Sequence, residues 1–121
     1  MEVLVVDDSK AMRLTVSRIL KQTGVVTTIS ETDNGHRALA YLRKHGADLV
    51  MSDWDTPEMT GIELLTALRS EGNDVPFVFV TSESTAEMRD IATAAGATSL
   101  IVKPFTREMI EDHLAAVSVA A

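Results

Sequence analysis

The stretch Val3-Leu4-Val5-Val6-Asp7-Asp8-Ser9 begins with four apolar residues and ends in two acids and a serine. A short apolar run without polar alternation is typical of a strand that is covered on both faces, as in a parallel sheet. Acidic residues and serine are also favoured where a helix begins. The stretch therefore predicts a buried strand over residues 3–6, followed by a helix, with two carboxylates at the junction.

The same alternation of a short apolar run and a helical pattern continues along the chain. We predict strands at 3–6, 26–30, 48–52, 77–81 and 99–102. The second strand is mixed in polarity, so we expect it at an edge of the sheet. Between the strands, apolar residues recur at helical spacing in three stripes: Met12, Val16, Ile19 and Leu20; Met88, Ile91, Ala92 and Ala95; Ile110, Leu114 and Val117. This order predicts an α/β fold, a doubly wound parallel sheet with helices on both faces.

Residues that begin and end helices stand where this pattern needs them. Thr60 with Glu63, and Ser84 with Glu87, have the spacing of capping boxes. Glycine follows three of the helical stretches, where a left-handed residue commonly ends a helix: Gly24, Gly46 and Gly96. These signals predict the start of the third and fourth helices and the end of the first, second and fourth.

The composition is that of one ordinary globular domain, which we assign to residues 1–121. The chain has 121 residues, no cysteine and a net charge of −7. It therefore lacks the ligands of disulfides and thiolate metal sites, and its negative field disfavours direct binding of nucleic acid. We see no apolar segment long enough for membrane insertion and no secretory signal. A cytoplasmic location is the expectation.

Polar residues stand at the end of, or directly after, four of the five predicted strands. They are Asp7 and Asp8, Asp53, Thr81, and Lys103. Each has an ordinary explanation as a helix cap, a turn residue or a surface charge. In open parallel sheets, however, ligands bind outside the carboxyl ends of the strands. Because all four ends bear such groups, we predict that they form one site.

The chemistry of these side chains indicates phosphoryl transfer assisted by a metal ion. Two carboxylates at ~4 Å repel each other by about 4 kcal/mol at an intermediate dielectric, so the acids favour a hard cation such as Mg²⁺, with Mn²⁺ as an alternative. Asp53 can act as the nucleophile that forms an acyl phosphate. Asp8 can hold the ion, and Asp7 can hold it directly or through water. Thr81 and Lys103 can contact the phosphoryl oxygens.

Four segments, in this order and spacing, are characteristic of a known family: 5–9, 53–61, 80–82 and 102–105. Through them, and over essentially its whole length, the chain resembles the response-regulator receiver family, and in particular its stand-alone, CheY-like members. The resemblance implies a flavodoxin-like sheet with strand order 2-1-3-4-5. It also implies that Asp7, Asp8, Asp53 and the Trp54 backbone carbonyl surround Mg²⁺, and that the bond before Pro104 is cis.

The resemblance further implies a two-component signalling function, with chemotaxis or motility as a pathway suggested by similarity alone. Asp53 would receive its phosphoryl group from a sensor histidine kinase or a phosphotransfer protein, with Thr81 and Lys103 contacting that group. The domain would catalyse only its own phosphorylation and dephosphorylation, so we do not expect an enzyme in the usual sense. Asp55 and Glu83 would flank the attacking water.

An output protein is expected to bind the face formed by the fourth helix, the last strand and the fifth helix. We predict four exposed residues on that face: Glu87, Arg89, Leu100 and Met109. Many chemotaxis-type receivers have an aromatic residue at the position of Leu100. Without a swinging ring there, switching would proceed through repacking of loops and helices.

Three alternatives remain open from the sequence. The segment 53–56 resembles the Asp-x-Asp-x-Thr motif of haloacid-dehalogenase-like phosphatases, although it follows the third strand and no cap is present. The chain could also be a receiver fold that no longer switches, although such modules usually lose one of the key residues. Finally, a natural single-domain protein and a receiver trimmed from a longer regulator look identical in sequence.

Overall fold

The computed structural model describes residues 1–103 and 105–120, with side chains as far as Ala115. Five strands and five helices alternate: β1 Glu2–Val6, α1 Lys10–Gln22, β2 Thr28–Thr32, α2 Gly35–His45, β3 Leu49–Ser52, α3 Gly61–Ser70, β4 Phe77–Thr81, α4 Ala86–Ala95, β5 Ser99–Val102 and α5 Arg107–Ala120. The strands are all parallel in the order β2-β1-β3-β4-β5. The predicted doubly wound, flavodoxin-like fold is therefore confirmed, with β2 at an edge.

The sheet divides the apolar side chains into two cores because successive residues of a strand point to opposite faces. In β1, Leu4 and Val6 pack in the core that includes residues of α2 and α3, whereas Val3 and Val5 pack in the core that includes residues of α1 and α5. All four are buried. Burial on both faces explains why β1, β3 and β4 are continuous apolar runs in the sequence.

The predicted position of β2 was wrong by two residues. The strand covers Thr28–Thr32, not 26–30, because it pairs with β1 from Glu2↔Thr28 to Val6↔Thr32. This register lets the two strands end at the same level. Glu31 and Thr32, which were expected after the strand, belong to it.

One of the two predicted capping boxes is confirmed. The Thr60 hydroxyl accepts from the Glu63 backbone N–H at 3.2 Å, and the Glu63 carboxylate accepts from the Thr60 N–H at 3.1 Å. The box at Ser84 was wrong, because α4 is capped by Thr85, whose hydroxyl accepts from the Met88 N–H at 3.0 Å. With the cap one residue later, the third position of the helix is a methionine, which cannot complete a box.

Two predictions fall on parts of the chain that the structure does not describe. Val117, the last member of the apolar stripe of α5, lies outside the residues with described side chains, and Pro104 lies outside the described residues altogether. In the described part of the chain, no helix has both the length and the apolar character needed to cross a membrane.

Gly61, the first residue of α3, allows this helix to begin directly against the strand that precedes the acidic site. A Cβ atom at this position would lie 2.4 Å from the Asp53 backbone oxygen and 2.8 Å from the Phe79 ring. We therefore expect Gly61→Ala to lower the free energy of unfolding by about 2 kcal/mol, as overpacking does. Urea denaturation measures this loss. Thr66→Ala, at an exposed position of the same helix, is the control, and equal stability of the two variants would contradict the prediction.

Candidate acidic site at the carboxyl ends of the strands

The two central strands β1 and β3 end side by side, and this places the acids together. Val6 is level with Ser52 in the sheet, so the residues that follow leave the sheet at the same point. The Asp53 N–H donates to the Val6 carbonyl at 2.8 Å. On the other side, the Asp7 N–H donates to the Thr32 carbonyl at 3.1 Å. The backbone of both acids is therefore held by continuation of the sheet hydrogen bonds.

Three carboxylates converge at this point. Asp7, Asp8 and Asp53 each offer an oxygen atom, and these oxygens lie within 4.8 Å of one another. Asp7 is buried, Asp53 is partly buried and Asp8 is exposed. Such a set suits a hard divalent ion, because Mg²⁺ takes oxygen ligands and keeps several waters, for which the exposed side is open. The structure thus shows an aspartate cluster that could bind a metal ion.

Lys103 brings a cation to the same cluster from the end of β5. Its Nζ atom lies 3.4 Å from Asp7 Oδ2 and 3.9 Å from Asp53 Oδ1. Its side chain is 17% exposed, so the charge is partly shielded from solvent. The Lys103 backbone N–H also donates to the Thr81 carbonyl at 2.7 Å. This bond ties the ends of β4 and β5 together beside the acids.

Backbone donors hold two of the carboxylates in place. The Ser9 N–H donates to Asp7 Oδ1 at 2.9 Å, and the Trp54 N–H donates to Asp53 Oδ1 at 2.8 Å. Each acid therefore keeps its other oxygen for a different partner. This arrangement orients the carboxylates before any ligand arrives, which is the usual basis of preorganisation in ion sites.

The environment of Asp53 disfavours its charged form. Burial is the main cause that raises the pKa of its carboxyl group, while nearby Lys103 lowers this pKa. The carboxylate of Asp7 raises the pKa further, the Trp54 N–H lowers it, and Asp55 raises it. The net direction is upward mainly because the partly buried carboxylate is poorly solvated, and the neighbouring acids add to this effect. A bound cation would favour the charged form.

We therefore expect Asp53→Asn to stabilise the metal-free protein. When folding raises the pKa of a carboxyl group, stability falls as the pH rises from the unfolded pKa to the folded pKa. The loss is complete above the folded pKa. At neutral pH with a chelator, the free energy of unfolding of the variant should exceed that of the wild type by on the order of 1 kcal/mol. Urea denaturation measures this difference. The gain should shrink when the pH is lowered through the pKa of Asp53. Asp90→Asn, at an exposed position of α4, is the control, and an equal gain there would contradict the prediction.

The remaining predicted site residues lie at the same edge of the sheet. Thr81 is the buried last residue of β4, level with Val102. The ring of Trp54 packs against Phe79 with centroids 4.8 Å apart. The Trp54 carbonyl, which was expected to face the ion, accepts a hydrogen bond from the Gly61 N–H at 2.9 Å. This carbonyl therefore already has one hydrogen-bond partner within the loop.

The predicted exposure of the output face was partly wrong. Glu87, Arg89 and Met109 are exposed as expected. Leu100, however, is only 8% exposed and belongs to the core that includes Ala92 of α4. It pairs with Phe79 in the sheet, and both side chains belong to this core.

Arg13 contributes to the site but was not singled out from the sequence. Its Nη1 atom donates to the Asp7 backbone carbonyl at 2.7 Å, and its Nε atom pairs with Glu31 at 3.2 Å. The only signal available in the sequence is its place on α1, shortly after the two acids. That position alone does not distinguish a contact with the loop from a solvated charge.

Comparison with known proteins agrees with this arrangement. The family model of the response regulator receiver domain matches residues 3–115. The chain is 34% identical to the chemotaxis protein CheY of Pseudomonas aeruginosa, covering 94% of this chain and 93% of the relative. It is 38% identical to chemotaxis protein CheY-3 of Vibrio cholerae, covering 94% and 88%.

Solved structures show the same similarity in three dimensions. CheY4 of Vibrio cholerae superposes with a TM-score of 0.87 at 35% identity, covering 96% of this chain and 97% of that one. The signal receiver domain of NarL from Mycobacterium tuberculosis gives a TM-score of 0.92 at 26% identity, covering 99% and 97%. The fold, the aspartate cluster and the sequence match together show that this chain belongs to the response regulator receiver family and is homologous to the CheY chemotaxis regulators.

Proposed function

We propose that this domain is a phosphorylation-dependent switch in which Asp53 is the phosphoryl acceptor. The observation that supports this most directly is the set of three aspartate oxygens within 4.8 Å, with the Lys103 ammonium 3.4 Å from Asp7 and 3.9 Å from Asp53. Asp53 is the proposed acceptor because it directly follows the central strand β3, lies 3.9 Å from the Lys103 ammonium, and presents an oxygen that the Trp54 N–H does not engage. The donor would be a phosphohistidine of a sensor histidine kinase or phosphotransfer protein.

The proposed transfer forms one bond and breaks one. The free oxygen of Asp53 attacks phosphorus, the P–N bond to the donor imidazole breaks, and that nitrogen keeps the bonding electrons. Lys103 neutralises the oxygens of the incoming group, and Thr81 donates its hydroxyl to another of them. Asp7 and Asp8 would hold Mg²⁺ with Asp53. When bound, this ion offsets the charge of the phosphoryl oxygens.

The Trp54 carbonyl is the weakest member of the proposed ligand set. It already accepts the Gly61 N–H at 2.9 Å, so it would have to contact the ion through its second lone pair. The three carboxylates supply enough charge without it, because Mg²⁺ commonly binds through one or two carboxylates and waters.

The output of the switch is proposed for the surface formed by α4, β5 and α5. The new phosphoryl charge, about −1.5 to −2, would draw Thr81 toward it and shift the loop 82–85. Exposed Glu87 and Arg89 on α4 and Met109 on α5 would then present a changed surface to an output protein. Since two relatives are named chemotaxis proteins, motility is the first pathway to test.

A phosphatase of the haloacid-dehalogenase type is disfavoured by the position of Thr56. The threonine of the Asp-x-Asp-x-Thr motif stands two residues after the second aspartate, but this chain has Pro57 there, and Thr56 comes one residue too early. Thr56 is also buried, and its hydroxyl donates to the Met59 carbonyl. That bond holds the loop before α3. Turnover of p-nitrophenyl phosphate by the wild-type protein would revive the phosphatase alternative.

Trp54 emission provides the direct test, because it is the only tryptophan and follows the acceptor. We expect one change in emission when Mg²⁺ is titrated and a second when acetyl phosphate is then added. Intact-mass spectrometry should show the mass of one phosphoryl group on the same sample. The proposed function would be contradicted if acetyl phosphate, added at saturating Mg²⁺, produced neither a mass increase nor an emission change.

A further inference from the structure

Arg13 occupies an unusual position for a helix arginine beside an acidic cluster. Its side chain is only 17% exposed. It does not pair with any of the three aspartate carboxylates, and contacts instead the Asp7 backbone carbonyl through Nη1 at 2.7 Å. Its Nε atom pairs with Glu31 of β2 at 3.2 Å. One guanidinium thus connects α1, the loop after β1 and the end of β2.

The carbonyl that Arg13 contacts belongs to the peptide bond between Asp7 and Asp8. Because a peptide unit is planar, fixing the direction of this carbonyl also fixes the direction of the Asp8 N–H and of the bonds to both Cα atoms. On the other side of the same residue, the Asp7 N–H donates to Thr32 at 3.1 Å. Hydrogen bonds therefore fix the backbone of Asp7 on both sides, and the bond from Arg13 is the one nearer to Asp8.

Glu31 determines where the guanidinium lies. An arginine fork is rigid and always charged, so its pairing with Glu31 restricts it to the loop side of the cluster. The arginine then donates to a neutral backbone oxygen and occupies none of the aspartate carboxylate oxygens. This separates Arg13 from Lys103, whose ammonium lies beside the carboxylates themselves.

We infer that Arg13 is a positioning residue that sets the geometry of Asp7 and Asp8 for divalent-ion binding, and through it the rate of phosphoryl transfer to Asp53. This inference rests on the proposed function of the cluster as a metal-dependent acceptor site. Arg13 does not touch the reacting atoms. Its effect passes through the Asp7–Asp8 peptide.

The sign of its effect on Mg²⁺ affinity distinguishes positioning from simple electrostatics. Removing a positive charge near an acidic site should strengthen cation binding if charge alone matters. Removing a group that orients the ligands should weaken it, typically about tenfold for groups that support metal ligands. We therefore expect Arg13→Ala to weaken Mg²⁺ binding by about tenfold, measured by titration of Trp54 emission.

Three further variants complete the test. Arg18→Ala removes the same charge from an exposed position of α1 and should leave Mg²⁺ affinity within about twofold. Arg13→Lys keeps the charge on a single nitrogen but lacks the guanidinium fork that makes both contacts, so its Mg²⁺ affinity should fall between those of wild type and Arg13→Ala. Glu31→Gln should weaken binding less than Arg13→Ala does. Urea denaturation of Arg13→Lys and wild type establishes that a difference in affinity is not a difference in folding.

The outcomes separate this inference from the proposed function. The wild type could bind Mg²⁺ and take up phosphate while Arg13→Ala binds Mg²⁺ equally or more tightly. That result would overturn the role of Arg13 and leave the proposed function intact. Weaker binding by Arg13→Ala with unchanged Arg18→Ala supports the role. Wild type that binds no Mg²⁺ would overturn both.

Discussion

Asp53→Asn is expected to abolish phosphoryl uptake from acetyl phosphate at saturating Mg²⁺. The amide is nearly the same size as the carboxylate but lacks the anionic oxygen that attacks phosphorus, so the loss should exceed about a thousandfold, as for other catalytic nucleophiles. Intact-mass spectrometry should show one added phosphoryl group on the wild type and none on the variant. The second, phosphate-dependent change in Trp54 emission should vanish with it.

Asp90→Asn is the matched control for this experiment. It removes one carboxylate of the same kind at an exposed position of α4, outside the cluster. We expect it to take up phosphate to the same final mass as the wild type. Two results would show that Asp53 is not the acceptor. One is complete phosphorylation of the Asp53 variant at another aspartate, and the other is an equal loss of phosphoryl uptake in both variants.

Phe79→Ala should cause the largest loss of stability of any substitution considered for this chain. Phe79 is fully buried in β4, with its ring centroid 5.0 Å from that of Phe77 and 4.8 Å from that of Trp54. Phenylalanine-to-alanine changes in such cores cost about 3–5 kcal/mol, because transfer and cavity costs add. Domains are typically stable by only about 5–15 kcal/mol, so a large part of the stability would be lost.

Urea denaturation monitored by circular dichroism measures this effect without depending on Trp54. Ile91→Ala, at a position of α4 that is 41% exposed, is the control and should cost less than about 1 kcal/mol. Phe79→Leu leaves a smaller cavity and should fall between the two. A loss at Phe79 no greater than that at Ile91 would contradict the assignment of this ring to the centre of the core.

The sequence predicts the fold well because each strand is short, apolar and followed by a distinct helix signal. Buried parallel strands need apolar residues on both faces, so β1 and β4 stand out as unbroken runs. The edge strand β2 does not need apolar residues on its exposed side. The prediction from its apolar pattern therefore placed the strand two residues too early. Its true register follows from pairing with β1, which no local pattern contains.

The acidic site was predictable for a similar reason. Polar residues at the ends of apolar strands are few, and the topology of a parallel sheet brings those ends to one edge. Asp7, Asp8 and Asp53 lie together as expected, and Lys103 contacts two of them. That Asp53 accepts phosphate stays a prediction until uptake is measured.

Side-chain burial and long-range contacts were decided by the tertiary structure alone. Leu100 is buried because it joins the core that contains Phe79 of the neighbouring strand and Ala92 of α4. Arg13 belongs to the site because α1 lies beside the ends of both β1 and β2. Local sequence determined which residues leave the sheet at its functional edge, since that depends on strand length and polarity. Which neighbours then orient them depends on how separate helices pack, and this is settled only when the chain has folded.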